Sequence, residues 1–145
     1  MKHITLVLSI ILCTACGVTK NSAVTAQNDV LIEYTAITRG SFLEIKLQDQ
    51  VILVKTAQQG PDKTRTISKA EWDILMADLH AIDLNTLPAL EAPSMKRAHD
   101  GAAAAKLKVI EDDTVYSTTE FDHNNPNVNI KPLVDYILEL AKTVK

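Results

Sequence analysis

Two short segments carry the side chains that are best suited to chemistry. The first holds Arg97, His99 and Asp100, and the second holds Asp122 and His123. Imidazole nitrogens and carboxylate oxygens are ligands for divalent metals such as zinc, and an imidazole beside a carboxylate can act as a base with its orienting acid. If the two segments lie at the same end of a sheet, these five side chains form a candidate binding site.

The same residues also have an ordinary structural interpretation. The histidine and aspartate of each segment are direct sequence neighbours, and neighbouring side chains in extended backbone point in opposite directions. Asp100 followed by Gly101 is typical of a turn. Asp122 can accept hydrogen bonds from nearby backbone amides, and Arg97 can pair with either carboxylate. We therefore favour structural roles, and we assign no catalytic residue, no metal and no cofactor from the sequence.

Cys16 is the residue whose type and position specify a covalent modification. It follows a positive charge at Lys2, an apolar run over residues 4–12 and two small residues, Thr14 and Ala15. This order of charge, apolar run and small residues is the layout of a secretory signal peptide. A membrane-spanning helix needs about 20 apolar residues, so the run is too short to serve as one.

The four residues that end this stretch, Cys13-Thr14-Ala15-Cys16, resemble the lipobox at which bacterial lipoproteins are cut and acylated. Cys13 stands where leucine is usual. The resemblance implies cleavage after Ala15 and a lipid on Cys16. Cleavage without lipidation, after Ala15 or Ala26, is the alternative, and the first would leave Cys16 as a lone thiol in an oxidising compartment. We expect a signal peptide over residues 1–15, a lipidated flexible tether over residues 16–29 and a single domain over residues 30–145.

Composition excludes several classes of protein. The chain has 15 lysine and arginine residues against 18 aspartate and glutamate residues, a net charge of −3, and no basic run. It therefore lacks the positive surface of a nucleic-acid-binding protein and the basic helix of a membrane-surface protein. Both cysteines precede residue 17, so the domain has no disulfide and no thiolate site. We expect the lipid to be the only membrane contact, an envelope protein as a partner, and no nucleic acid.

Hydrophobic periodicity predicts the fold class. Alternating residues predict strands over residues 30–38, 42–48, 51–57, 64–67, 103–111 and 114–121, and a period near 3.6 predicts helices over 69–82 and 130–142. Ser68 and Glu71 match a capping box at the first helix, and Asn129 can cap the second. The order predicts an α+β domain: an antiparallel sheet, formed as a β-meander, a helix, a β-hairpin and a second helix, with both helices packed on one face.

The second and third strands are predicted to form a hairpin with a known register. Asp49 and Gln50 are the two residues of its loop. This loop places Leu47 opposite Ile52 and Ile45 opposite Val54 on one face of the hairpin. It also places Glu44 opposite Lys55 on the other face, which is a favourable pair.

Two later segments carry a resemblance to a protein family. Residues 90–102, Leu-Glu-Ala-Pro-Ser-Met-Lys-Arg-Ala-His-Asp-Gly-Ala, and residues 121–126, Phe-Asp-His-Asn-Asn-Pro, are similar to segments that mark a group of small bacterial lipoproteins with no assigned activity. The resemblance extends over most of the domain and implies lipidation and fold, but no chemistry. Asn124 stands where the group is expected to have glycine, and asparagine also tolerates a left-handed backbone.

These patterns favour one function and leave two alternatives. The favoured hypothesis is a non-enzymatic lipoprotein of the bacterial envelope that binds a protein or a small ligand. Gly17 follows the acylated residue without an acidic run, which favours the outer membrane, with the domain facing the periplasm. The first alternative is a metal-binding protein or metal-dependent enzyme that uses the His/Asp residues. The second is a periplasmic enzyme inhibitor that inserts the irregular segment over residues 84–102.

Overall fold

The computed structural model describes residues 29–145, and the predictions for Cys16, the signal peptide and almost all of the tether lie outside this range. Within it, strands and helices follow one another in an α+β order. In chain order the elements are β1 Val30–Thr38, β2 Ser41–Gln48, β3 Val51–Lys55, β4 Lys63–Thr66, α1 Lys69–His80, 3-10 helices at Leu84–Ala89 and Lys96–His99, β5 Ala104–Glu111, β6 Thr114–Ser117, β7 Phe121–Asp122 and α2 Lys131–Lys142.

All the strands of the described region belong to one antiparallel sheet. Six of them lie in the order β4-β3-β2-β1-β5-β6, and the short β7 also pairs with β5. β1 is central because it pairs with β2 along one edge and with β5 along the other. The predicted α+β class with an antiparallel sheet is therefore confirmed.

The predicted hairpin between β2 and β3 has the expected register. Leu47 pairs with Ile52 and Glu44 with Lys55, and both loop residues have the positive φ that a tight two-residue loop requires. The ion pairs differ from the expected cross-strand pair, however. Lys55 contacts Asp62 at 3.6 Å, and Glu44 contacts Lys46 at 3.3 Å.

The capping box of α1 is confirmed in atomic detail. The Ser68 hydroxyl accepts a hydrogen bond from the Glu71 amide at 3.2 Å, and the Glu71 carboxylate accepts one from the Ser68 amide at 2.7 Å. The Arg65 guanidinium also donates to this carboxylate, with its Nη2 at 3.0 Å from Oε1. The helix ends at His80, two residues earlier than the pattern predicts.

The start of α2 corrects one prediction. Ile130 is the N-cap residue, without a side-chain hydrogen bond, and the helix begins at Lys131 with Pro132 in its first turn. Asn129 does not cap the helix. Its amide instead donates to the Asn127 side chain at 3.0 Å, because these residues form a turn that precedes the helix.

Two further segments differ from their predictions. The segment over residues 84–102, predicted to be irregular, contains two 3-10 helices, and Leu87 of the first is fully buried. The strand predicted over residues 114–121 is broken into β6 and β7 at Thr118. The Thr118 hydroxyl accepts a hydrogen bond from the Leu107 amide at 3.1 Å, so a side chain takes the place of a strand partner there.

Alternate residues of the strands face one hydrophobic core. On β1, Ile32 and Tyr34 are fully buried, and Glu33 between them is partly exposed. Leu75 of α1 and Leu133 of α2 are fully buried in the same cluster, and the two helices contact each other. This single core supports the expectation that both helices pack on the same side of the sheet.

The opposite side of the sheet is called the open face below. Its side chains are partly or largely exposed, and none of its apolar residues packs against the core cluster of the described region. The open face consists of Leu31, Glu33, Thr35, Ile37, Phe42, Glu44, Lys46, Gln48, Val51, Leu53, Lys55, Thr64, Thr66, Ala104, Lys106, Lys108, Ile110, Val115 and Ser117.

A pair of neighbouring substitutions in α1 tests this assignment of faces. Leu75→Ala removes a fully buried side chain, so we expect it to lower the free energy of unfolding by about 2–5 kcal/mol. Ile74→Ala removes a side chain that is 51% exposed, and its effect should stay below about 1 kcal/mol. Urea unfolding followed by circular dichroism measures both. Equal losses for the two variants would contradict the packing of α1.

Candidate functional site

The carboxylate of Asp122 is the centre of the candidate site. Asp122 ends β7, and its side chain is only 1% exposed. It accepts four hydrogen bonds: Oδ2 from the Ser94 hydroxyl at 2.6 Å and the Lys96 amide at 2.8 Å, and Oδ1 from the Arg97 amide at 3.0 Å and Arg97 Nη1 at 3.1 Å. Both oxygens are therefore fully used by groups of the segment over residues 94–97.

This carboxylate caps a helix from a distance in sequence. The 3-10 helix Lys96–His99 has Met95 at its N-cap position, and Met95 provides no side-chain hydrogen bond. The first amides of a helix have no partner within the helix, and an anion is favoured beside them. Asp122 supplies the missing acceptor, and in doing so it fixes the segment over residues 94–97 to the sheet. Asp122, Ser94 and Arg97 are together called the carboxylate clamp.

Arg97 is the member of the clamp that supplies the positive charge. Its guanidinium contacts Asp122, donates from Nη1 to the Ser94 carbonyl at 2.8 Å and donates from Nη2 to the Met95 sulfur at 3.1 Å. The side chain is 14% exposed. A charged pair that is removed from water needs additional hydrogen bonds to be stable, and the clamp supplies them.

Two opposing effects set the acidity of Asp122. Burial raises the pKa of a carboxyl group, but the hydrogen bonds from Ser94, Arg97 and Lys96 favour the charged form more strongly. The pKa of Asp122 therefore lies well below its ordinary value of 3.8. At neutral pH the group is a fixed anion that is already neutralised by its partners, which is unsuited to proton transfer.

His123 faces a different partner. Its Nδ1 lies 2.7 Å from the hydroxyl oxygen of Tyr34, which is fully buried in the centre of the sheet. Burial raises the pKa of Tyr34, which keeps its hydroxyl protonated. The hydroxyl donates to Nδ1 when the neutral imidazole carries its proton on Nε2. Burial also lowers the pKa of His123, which favours the same neutral form.

The remaining two predicted residues lie in a turn. His99 ends the second 3-10 helix and is exposed, and Asp100 follows it with a left-handed φ of 57°. The amides of Asp100 and Gly101 both donate to the Lys96 carbonyl, as expected for a helix end. This matches the turn interpretation of Asp100 and Gly101.

The structure thus brings together Arg97 and Asp122 but not all five residues of the predicted binding site. His123 bonds to Tyr34, and the turn holds His99 and Asp100. Within residues 29–145, no group of three or more histidine, aspartate or glutamate side chains is arranged to hold a metal ion.

Sequence reasoning missed three members of this region. Ser94 donates to Asp122 and accepts a hydrogen bond from Asn125 Nδ2 at 2.7 Å, so it links both segments. Tyr34 lies on one side of the alternating first strand together with Val30 and Ile32, and a buried phenol needs a polar partner, which was the available signal for its bond to His123. Nothing in the local sequence marks Ser94 or Asn125, because their partners are about 30 residues away.

The open face is the second candidate site. Glu33 at its centre contacts Lys46 at 3.4 Å and also pairs with Lys108. Of the six large apolar side chains that are exposed within residues 29–145, Ile37, Val51 and Val115 lie on this face, which therefore carries half of them.

Comparisons with protein-family models, with curated proteins and with solved structures found no match to this chain. Among the described residues, no helix is long and apolar enough to cross a membrane. The site must therefore be interpreted from its own geometry.

The clamp can be tested through the pH dependence of stability. Asp122→Asn keeps the shape of the side chain but replaces an acceptor oxygen with a donor that faces other donors, so the variant should unfold at a clearly lower urea concentration at pH 7. A carboxyl with a depressed pKa stabilises the fold above its ordinary pKa, near 3.8, and this stabilisation is lost as the pH falls through the lower value of the folded state. The difference between the two proteins should therefore shrink below about pH 3.8.

The matched control is Asp135→Asn, which removes an exposed aspartate that pairs with Lys131 on α2. Exposed pairs contribute little, so its urea midpoint should stay close to that of the unsubstituted chain. If Asp122→Asn were as stable as the control at pH 7, the carboxylate clamp would have no structural role.

Proposed function

We propose that this protein is a lipoprotein of the bacterial envelope whose α+β domain binds a partner without chemically changing it. The anchor is the lipid on Cys16, and residues 17–29 connect it to the domain. The membrane is the outer membrane, with the domain in the periplasm. The resemblance of the N-terminal stretch to a lipobox, and of the two later segments to small bacterial lipoproteins, supports the anchor.

The observation that carries the binding function is the open face. It extends across six strands, presents Ile37, Val51 and Val115 to solvent and lies outside the core. Exposed apolar surface surrounded by charged groups is typical of a protein-binding region. A binding role fits this surface better than it fits the clamp, whose polar groups already bond to one another.

The clamp supports the same proposal in a second way. Catalysis by the predicted His/Asp residues would need a free base or nucleophile, yet Asp122 is bonded through both oxygens and His123 bonds to Tyr34. The inhibitor alternative would need a protruding segment. The segment over residues 84–102 instead buries Leu87, contacts β6 and is fixed by Asp122.

The anchor predicts a specific covalent mass. Mature protein isolated from envelopes should begin at Cys16 and carry a diacylglyceryl or triacyl adduct, measured by intact-mass spectrometry. Cys16→Ala should lose the adduct and its association with membranes, and Cys13→Ala should keep both, because only Cys16 is the acceptor. An unmodified mature protein that begins at Gln27 would rule out the lipid anchor.

The binding surface predicts where the partner is found. A photoreactive amino acid at Ile37, on the open face, should form an adduct in intact envelopes. The same residue at Ile74, on α1, is the matched control, because the two isoleucines are 42% and 51% exposed. Adducts should form at position 37 and not at position 74. Adducts at neither position, or equally at both, would contradict binding through the open face.

A further inference from the structure

We infer that the open face binds a basic, amphipathic segment of a partner protein, at the end of the sheet where β1 begins. The inference rests on the proposed function, because it names the chemistry of the partner that the same surface takes. The segment lays its apolar side chains on a row of apolar residues that crosses the sheet, and it places lysine or arginine side chains beside the aspartates that border this row.

The apolar row consists of Val115, Ile110, Leu31 and Val51, with Gln48 between the last two. Val115 pairs with Ile110, which pairs with Leu31, and Gln48 pairs with Val51 on the next strand. Val51 and Val115 are 40% and 59% exposed. The row crosses five strands that lie about 4.8 Å apart, so it is about 19 Å long. This length equals three to four helical turns, which fits a protein segment rather than a single ion.

Two clefts lie along the apolar row, and both are lined by Leu31 and Gln48. The first has a volume of about 380 Å³. Three aspartates, two apolar side chains and one amide line it: Asp29, Asp112, Asp113, Leu31, Ile110 and Gln48. Among the residues that the structure describes, no lysine or arginine lines this cleft. Its surface is therefore both apolar and negatively charged.

Four exposed aspartates form the acidic rim of the row: Asp29, Asp49, Asp112 and Asp113. Asp29 accepts a hydrogen bond from Gln48 Nε2 at 2.9 Å. Within residues 29–145, the side chains of the other three have no hydrogen-bond or ion-pair partner. Lysine and arginine side chains are complementary to this rim, because their apolar stems can cover the row while their charged ends reach the carboxylates.

The lysines on the other side of the row determine which way round the segment lies. Lys46 is two residues from Gln48 along β2, and Lys108 is two residues from Ile110 along β5. Both lysines contact Glu33, which partly neutralises them. The basic side of the segment is therefore attracted to the turns that carry the rim and not to the centre of the sheet.

The acidic rim also argues against two other occupants of this end of the face. Anionic lipid headgroups are repelled by its negative charges. Over residues 29–145, no three acidic or histidine side chains are arranged to hold a metal ion, so the rim is not a metal site. A protein segment, in contrast, gains from both features, because the row removes its apolar side chains from water while its charges stay at the edge.

The test places a photoreactive amino acid at Val115 of the full chain in envelopes. Adducts should form, and mass spectrometry of the cross-linked peptide should show apolar residues beside lysine or arginine in the partner. Asp49→Asn, Asp112→Asn and Asp113→Asn together should lower the yield roughly tenfold, because three attractive charges are removed. Asparagine tolerates the left-handed backbone of all three positions, so the turns are kept.

The matched control removes the same charge from the two helices, with Asp73→Asn, Asp78→Asn and Asp135→Asn. Its yield at position 115 should equal that of the chain without charge substitutions. A second measurement needs no charge substitution. In isolated envelopes, about 1 M salt shortens the Debye length to about 3 Å and should lower the yield as the rim substitutions do.

Equal yields for the two triple variants, or a yield that does not depend on salt, would overturn the inference. A cross-linked peptide without basic residues, an adduct with lipid or an adduct of this chain with itself would do the same. Position 37 separates these outcomes from the proposed function. Adducts at position 37 without adducts at position 115 overturn the inference alone, whereas the absence of adducts at both positions overturns the binding function as well.

Discussion

The buried carboxylate of Asp122 is the interaction on which the arrangement of this domain depends. It joins the end of β7 to the start of the second 3-10 helix, and four donors surround its two oxygens. A charge in this position is stable only with its partners in place, because an unpaired buried anion is strongly unfavourable. Ser94 and Arg97 must therefore fold against β7, and the segment between α1 and β5 cannot extend away from the sheet.

The domain has a closed side, where the helices and the core lie, and an open side, which is the open face. On the closed side, the core, the clamp and the bond between Tyr34 and His123 satisfy the polar groups that the fold buries. On the open side, Glu33 and its two lysines are paired, but charges at the ends of the strands and several large apolar side chains are exposed. The groups best suited to chemistry are thus used for structure, and the groups available for recognition lie on the sheet. Function in this chain is more readily assigned to its surface than to its titratable residues.

The correct and incorrect predictions have different physical origins. The hairpin register and the capping box were predictable, because each depends on residues within a few positions of one another, such as Ser68 and Glu71. The predicted N-cap of α2 was wrong. Asn129 belongs to a turn that precedes the helix, so Ile130 occupies the N-cap position instead. The break at Thr118 depends on a hydrogen bond to Leu107, across the sheet. For the candidate site, the pairing of Arg97 with Asp122 was weighed from sequence, while Ser94 and Tyr34 were not connected to it.

The sequence by itself determined the α+β class, the local pairing of β2 with β3, the start of α1 and Cys16 as the residue expected to carry a lipid. These depend on periodicity and short-range patterns, which the order of residues specifies directly. Only the tertiary structure decided that β1 is central, that Asp122 caps a helix 26 residues away in sequence, and that His123 bonds to Tyr34 rather than joining a metal site. The reason is that contacts between distant residues depend on the closure of long loops, and the residues in such contacts carry no local mark of their partners.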